Sequence, residues 1–183
     1  NGVERVIVPQ LARSFGVFFT ESENKGKKYF GAKIIPARGV WIEIESEING
    51  GIYIRIDKKR KFPATALLRA IGYETSEAIL KEFSKDPIGK KAIEDCLLKD
   101  VAKTLNESYI EVYKRLRDGD MATAENAKEF IDSLFISERY DLSPVGRYRF
   151  NQRFDKNMDA PELARRTLSK DDLMSVIKHI ILL

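Results

Sequence analysis

Apolar and polar positions alternate along the first third of the sequence and recur at three- to four-residue spacing along the rest. Alternation is typical of strands with one buried face, and the longer spacing is typical of amphipathic helices. The sequence therefore predicts an α+β fold. Antiparallel hairpins are expected in residues 1–61 and packed amphipathic helices in residues 62–183, together forming one domain of ordinary size.

The β-branched and aromatic runs locate the expected strands. Strands are predicted for residues 5–8, 17–19 and 29–35, with 20–28 as an exposed loop between the last two. The clearest hairpin joins residues 40–48 to 52–57 through Asn49-Gly50-Gly51.

Two registers of that hairpin can be compared. A two-residue loop would place Arg55 opposite Ile44, among the isoleucines, whereas a three-residue loop pairs Ile44 with Ile56. The three-residue loop is therefore expected, with Glu45 opposite Arg55 and every isoleucine on the core face. In that register Glu43 faces Asp57, and Trp41 is the diagonal neighbour of Asp57 on the outer face.

Helices are predicted from apolar spacing together with start and stop signals. Pro63 begins the first helix, and Gly72 ends it in the left-handed conformation. The next helices are expected at residues 76–83, 88–99 and 106–117, and two more follow the capping residues Thr123 and Ser169. On the last helix His179 falls on the polar side with Asp172, which predicts a solvated surface histidine.

Composition narrows the class of protein. The chain is 43% hydrophobic and 33% charged, as in globular proteins, and its apolar runs are too short to span a bilayer. The absence of a signal segment and the lone Cys96 favour a reducing cytoplasm. Cys96 is expected to be a small buried thiol. Because Asn rather than Met stands at position 1, an excised piece of a longer protein is expected.

Candidate chemistry is sparse. One histidine and one cysteine cannot form a metal cage, and no phosphate-binding loop or nucleophile elbow occurs. Glu43 and Asp57 are the acids that the hairpin register brings together, but Arg55 or the basic run that follows Asp57 is expected to neutralise them. The sequence therefore predicts no catalytic residue and no metal site.

Two surface features leave alternatives open. The basic run Lys58-Lys59-Arg60-Lys61 is either a solvated turn or a rim that contacts phosphates, and the net charge of +4 is compatible with both. Trp41 is either a platform on which bases stack or a core residue covered by neighbouring elements.

Several motifs in succession resemble the lobe of the β subunit of bacterial RNA polymerase. They include Ile35-Pro36-Ala37-Arg38-Gly39-Val40-Trp41 and the block that leads through Asp57 to Pro63-Ala64-Thr65. The full set of similar segments is 1–19, 32–41, 54–65, 111–117, 139–147 and 168–172. The stretch around 84–103 matches weakly.

The resemblance implies a fragment of a DNA-directed nucleotidyl transferase that is inactive alone and forms a wall of the downstream DNA cleft. It implies contacts with the non-template strand, with downstream duplex, with other polymerase subunits and sigma factor, and with transcription factors. It implies no cofactor in this chain, because the magnesium of the whole enzyme is bound by another subunit. The DNA-binding positions that it suggests, together with the basic run, are Arg13, Trp41, Asp57, Lys58, Lys59, Arg60, Arg117 and Arg139.

Two other function classes are kept for comparison. The first is a stand-alone module that docks transcription factors through a sheet edge or a helix face, without contact to nucleic acid. The second is a small hydrolase that uses Glu43 and Asp57, which lacks the other elements of an active site.

Overall fold

The structure is a computed structural model that describes residues 2–24, 26–47 and 50–183. Its sheet has five strands in the order β1-β2-β3-β4-β5, and every neighbouring pair is antiparallel. The strands are β1 (Gly16–Asn24), β2 (Lys27–Ile35), β3 (Ile42–Ser46), β4 (Ile52–Ile56) and β5 (Phe62–Pro63). The helices follow the sheet in sequence, so the predicted α+β fold is confirmed.

The first hairpin is longer than predicted. Residues 20–28 were expected to form a loop, but β1 and β2 stay paired from Gly16↔Ile35 to Asn24↔Lys27. The outer half of this ribbon is exposed and polar, with Lys28 in an ion pair with Glu21 at 2.7 Å. Backbone hydrogen bonds and cross-strand charge pairs stabilise this outer half, which buries no apolar face. A prediction from alternating apolar and polar residues therefore misses it.

The second hairpin keeps the predicted faces but has a different register. Ile44 pairs with Ile54, not Ile56, and Glu43 pairs with Arg55, so the expected opposition of Glu43 and Asp57 is wrong. A shift of two residues leaves every side chain on the same face, which is why alternation cannot detect it. The turn itself includes residues 48 and 49, which lie outside the described residues.

The helices occupy most of the predicted segments. They are α1 (Ala64–Leu68), which continues into a π-helical turn (Arg69–Tyr73), then α2 (Ser76–Glu82), α3 (Pro87–Lys99), α4 (Leu105–Leu116), α5 (Ala124–Leu134), α6 (Ser143–Arg153), α7 (Ala160–Ala164) and α8 (Lys170–Leu182). Thr123 and Ser169 cap α5 and α8 as predicted, and Gly72 has a φ of 123°.

Helix α6 was not predicted because its buried face is partly polar. Arg147 and Asn151 are fully buried on it beside Gly146 and Phe150. The sequence therefore lacks the apolar stripe by which an amphipathic helix is identified. The short helix α7, which begins at Ala160 after the cap Asp159, was missed as well.

Residues 2–14 contain no regular structure, so the strand predicted for 5–8 is wrong. Val6 and Ile7 are 86% and 93% exposed. A strand needs a partner for its backbone hydrogen bonds, and within the described part of the chain no strand pairs with this segment.

One face of the sheet carries the core. Helices α1, α3 and α8 pack on this face, and α6 contacts β1. The core residues include Ile34, Ile42, Ile44, Ile54, Ile56, Leu67, Leu68, Ile93, Val176 and Ile177. Cys96 is buried as expected, its sulfur accepts a hydrogen bond from the Ile52 amide at 2.9 Å, and burial raises the pKa of the thiol to about 11.

The last helix differs from its predicted orientation. Asp172 is fully buried in an ion pair with Arg147 at 3.0 Å, so it does not mark a polar side of α8. His179 is half-buried, with its ring centroid 4.5 Å from that of Phe19 and 5.8 Å from that of Phe154. The prediction of a solvated surface histidine is therefore wrong, because β1 and α6 cover this part of the helix.

Candidate nucleic-acid interface

Trp41 lies at the end of the sheet, immediately before β3. The Asp57 amide donates to the Trp41 carbonyl at 2.8 Å, so the two residues are direct neighbours and not the diagonal pair that was predicted. The indole is half-buried, which leaves part of its ring accessible. The ammonium of Lys58 lies 5.9 Å from the ring centroid, within the range of a cation–π interaction.

A tight turn presents Asp57 and Lys58 beside the indole. Their φ angles are 53° and 59°, and the Lys59 amide closes the turn by donating to the Ile56 carbonyl at 3.0 Å. Two successive left-handed residues match the twist of a hairpin. The conformation is unfavourable for residues other than glycine, because the Cβ comes too close to the backbone. Such a turn fixes the backbone positions from which the exposed side chains of Asp57 and Lys58 extend next to Trp41.

An open cleft of about 320 Å³, which we call the tryptophan-side cleft, begins at this turn. Its polar lining is Asp57, Lys59 and Arg117, and its apolar lining is Val40, Ile56, Leu116, Phe130 and Leu134. A carboxylate and two cations thus share one apolar floor. This arrangement can accept hydrogen bonds from N–H groups and donate to phosphate or carbonyl oxygens of the same ligand.

The α4–α5 pair positions Arg117. The Arg117 guanidinium lies 5.2 Å from the centroid of the Phe130 ring, and Phe130 packs edge-to-face on Tyr113 at 5.3 Å. Phe130 lies on the helix predicted to follow Thr123, and its place in the cleft was not predicted. The sequence carries no signal for that role, because the outer part of an apolar helix face has the same spacing as the inner part.

Arg139 approaches the same region from the segment between α5 and α6. Its side chain is exposed and donates to the Ser133 hydroxyl at 3.1 Å. Its carbonyl oxygen lies only 2.9 Å from the point where a Cβ on Gly39 would stand. The loop that carries Arg139 therefore packs on the β2–β3 connection that leads into Trp41.

Besides Trp41 and Lys58, three expected site residues do not line the cleft: Arg139, which bonds to Ser133, and two others for which no contact with a cleft residue is seen among the described residues. Arg13 is exposed within the irregular segment 2–14, and Arg60 is exposed after the turn. The residues of the basic run make different contacts. Lys58 lies over Trp41, Lys59 lines the cleft, and Lys61 instead pairs with Glu47 and lies 5.2 Å from the Tyr53 ring.

The structure separates the two acids that were considered for hydrolysis. Glu43 is 7% exposed and lies between Lys33 at 3.1 Å and Arg55 at 3.8 Å, whereas Asp57 is exposed on the turn. The Glu43 carboxylate is occupied by its two ion pairs and does not face Asp57. The geometry thus offers binding groups and does not bring these two acids together as an acid/base pair.

Neither a metal centre nor a membrane-spanning helix is found among residues 2–24, 26–47 and 50–183. They contain no group of three or more histidine, cysteine, aspartate or glutamate side chains able to hold a metal ion. Among the same residues, no helix is long and apolar enough to cross a membrane.

Comparison with known proteins gives the family. The model described as "RNA polymerase Rpb2, domain 2" matches residues 13–183. The DNA-directed RNA polymerase subunit beta of Clostridium botulinum strain Hall is 50% identical over 155 residues, which cover 84% of this chain and 12% of the relative. That of strain Alaska E43 is 48% identical over 160 residues, covering 86% and 13%. The chain therefore spans about an eighth of the length of these relatives, and it belongs to the RNA polymerase Rpb2 domain 2 family as the corresponding region of a bacterial β subunit.

Proposed function

We propose that this chain forms a wall of the downstream DNA cleft in a DNA-directed RNA polymerase and contacts the separated non-template strand. The observation that carries the proposal is the partly accessible indole of Trp41, with Asp57 and Lys58 beside it and Arg117 in the cleft that Asp57 also lines. The names of the relatives support the enzyme class, a nucleotidyl transferase. Other polymerase subunits, sigma factor and transcription factors are the partners that accompany this proposal.

A single strand would bind in two parts. An unstacked base lies on the open part of the Trp41 ring, an interaction that tolerates any base and is worth about 1–3 kcal/mol. Lys58 is exposed and flexible, so its ammonium can leave the ring and meet a phosphate while the base stacks.

The tryptophan-side cleft supplies selectivity. The Asp57 carboxylate accepts hydrogen bonds from the ring and amino N–H groups of a guanine, and Arg117 and Lys59 donate to its carbonyl oxygen or to phosphate. The chain carries no step of catalysis in this proposal. The magnesium ion of the whole enzyme is bound by another subunit and supplies the chemistry of nucleotide addition there.

Isolated binding should be weak and salt-dependent. Each phosphate that a protein contacts releases counterions from the nucleic acid, and this release contributes to the affinity. Only a few phosphate contacts can form on this one wall, so the contribution is small. Within a whole polymerase the other walls raise the effective concentration of the strand.

Fluorescence of Trp41 provides the test, because it is the only tryptophan in the sequence. Titration with short single-stranded DNA containing one guanine, at low salt, should quench the emission. Anisotropy of labelled DNA should show that Trp41→Ala weakens binding by about 5- to 150-fold, whereas Trp41→Phe keeps part of the affinity. Asp57→Asn should reduce the preference for guanine over adenine. Equal binding by the wild type and Trp41→Ala would refute the proposed role.

A stand-alone docking function has one observation in its favour. Strand β1 is at the edge of the sheet and can accept a strand from a partner protein. In that case Trp41→Ala leaves single-strand binding unchanged, and a proline within β1 weakens capture of the protein partner.

A further inference from the structure

A second cleft, of about 390 Å³, is lined in part by the segment that carries Arg139, through Ser137, Tyr140 and Asp141. We call it the arginine cleft. Its charged and polar lining is Arg38, Ser137, Tyr140, Asp141, Arg165 and Arg166. No sequence motif indicated it, because its three arginines come from two distant parts of the chain.

Two of the arginines are tied to carboxylates. The Arg166 Nε donates to Asp141 at 2.8 Å, and its terminal nitrogen contacts the second oxygen of the same carboxylate. The hydrogen bond from Arg166 holds the pKa of Asp141 below its usual range. Arg165 contacts Glu162 through one terminal nitrogen.

Other donors around the cleft are not used in these ion pairs. The Arg165 Nε and the Tyr140 hydroxyl are buried, and neither has a hydrogen-bond partner among the described residues. Arg38 is exposed and uses one terminal nitrogen to donate to the Ser137 carbonyl at 3.0 Å. Arg165 also lies 3.7 Å from Asp172, whose charge Arg147 and Lys156 already balance. The three guanidinium groups of the cleft therefore face two further carboxylates, those of Asp141 and Glu162, which leaves one positive charge in excess. A ligand with negatively charged oxygen atoms complements this surplus.

The arginine cleft is rigidly joined to Trp41. The amides of Ala37 and Arg38 donate to the Asp141 carbonyl at 2.8 and 3.1 Å, and the Asp141 amide donates back to the Arg38 carbonyl at 2.8 Å. Gly39, with φ of 117°, lies so close to Tyr140 that a Cβ would stand 2.8 Å from its ring. Three chain steps separate Arg38 from Trp41, so their Cα atoms are at most about 11 Å apart.

We propose that the arginine cleft binds a backbone phosphate of the same single strand whose base stacks on Trp41. The inference rests on the proposed function, since it takes the strand at Trp41 as given. A phosphodiester fits because planar guanidinium groups donate two parallel hydrogen bonds to its oxygens. Arg38 is the primary contact, and Arg165 and Arg166 supply the positive field behind it. The contact is independent of base sequence.

The first test is the variant Arg38→Gln with Lys91→Gln as the control of equal charge, since Lys91 is exposed on α3. Arg38→Gln should weaken binding of single-stranded DNA by about three- to tenfold and reduce the slope of log affinity against log salt by about 0.7. Lys91→Gln should change neither. Thermal unfolding of each variant shows that the fold is retained, and Arg38→Lys should restore part of the affinity.

Neutral methylphosphonate linkages, placed one at a time along the DNA, identify the phosphate. When the neutral linkage replaces the phosphate that contacts Arg38, the affinity of the wild type should fall to that of Arg38→Gln. The affinity of Arg38→Gln should not change with the same substituted DNA. If no position does this, the proposal is overturned.

The arms of the test separate the two proposals. A loss of binding in Trp41→Ala but not in Arg38→Gln overturns the phosphate site and leaves the stacking role intact. A loss in Arg38→Gln alone supports an anion site and overturns the stacking role. Binding of polyglutamate that is lost in Arg38→Gln, with DNA binding unchanged, would show that the cleft takes an acidic protein segment and overturn the phosphate site.

Discussion

Two charged regions of this molecule use the same side chains in opposite ways. In the interior, Asp172 and Arg147 are both fully buried, and Lys156 and the Ser169 amide also contact Asp172, at 2.7 and 3.0 Å. At the end of the sheet, Asp57 is exposed and shares a cleft with cations on an apolar floor. Charges of the first kind are paired within the chain and shielded from solvent, whereas charges of the second kind remain accessible to a ligand.

A second interior pair shows the same principle. Arg69 and Asp100 are buried and lie 2.8 Å apart; the Thr65 hydroxyl also donates to Asp100, and Arg69 also donates to the Ala102 carbonyl. Burial of a charge is costly unless it is paired and hydrogen-bonded, so each partner is needed to keep the other inside. The Arg69–Asp100 pair joins the π-helical turn to the end of α3, and the Arg147–Asp172 pair joins α6 to α8. Both arginines are buried, so they are not candidates for contact with DNA.

The largest expected effect comes from breaking the interior pair. Asp172→Asn leaves Arg147 charged in a dry site and should lower the free energy of unfolding by about 3–5 kcal/mol. Urea denaturation measures the loss. The matched change on the surface, Asp57→Asn, should stay within about 0.5 kcal/mol. A cost below about 1 kcal/mol for Asp172→Asn would show that the interior pair is not needed for stability.

A smaller effect is expected at the turn beside Trp41. Lys58 has φ of 59°, whereas Lys59 is not in the left-handed region. Lys58→Gly relieves the left-handed strain and Lys59→Gly does not, so the first variant should be the more stable by about 1–2 kcal/mol. Comparison of their melting transitions decides this. Equal stabilities would mean that the left-handed conformation of Lys58 does not lower the stability of the fold.

The smallest effect concerns His179, which lies between the two extremes of burial. Burial, followed by the nearby charge of Arg153, lowers its pKa below 6.5. Its neutral form is therefore favoured in the folded state, so stability is complete above the ordinary pKa and falls as the pH drops through the folded-state pKa. Unfolding measured between pH 7.5 and 5.5 should show this fall in the wild type and a flatter profile in His179→Phe. Parallel profiles would exclude a contribution from His179.

The sequence predicted the parts of the fold that depend on local spacing. The cap at Thr123 and the capping box of Ser169 and Asp172 identified helices α5 and α8. Alternation identified which face of β3 and β4 is buried, because the side-chain period of a strand holds for any register. The strand predicted for 5–8 failed for the opposite reason, since a strand depends on a partner that local spacing does not reveal.

The site was predicted in part. Trp41, Asp57, Lys58, Lys59 and Arg117 come together, as their presence in one candidate set suggests. Phe130 and Arg38 could not be found from the sequence. Phe130 has the spacing of an ordinary core residue, and Arg38 gains its neighbours from a segment a hundred residues away.

By itself the sequence determined the succession of a β-rich part and a helical part, the buried faces of β3 and β4, the capped starts of α5 and α8, and the family to which the chain is similar. These properties follow from the period of apolar positions and from capping and turn residues, which act over a few positions. Tertiary structure alone decided the register of β3 against β4, the polar helix α6, the burial of Asp172 and the lining of both clefts. Each of these depends on which distant groups meet, and a charge or an aromatic ring has the same sequence signature whether its partners lie inside the chain or outside it.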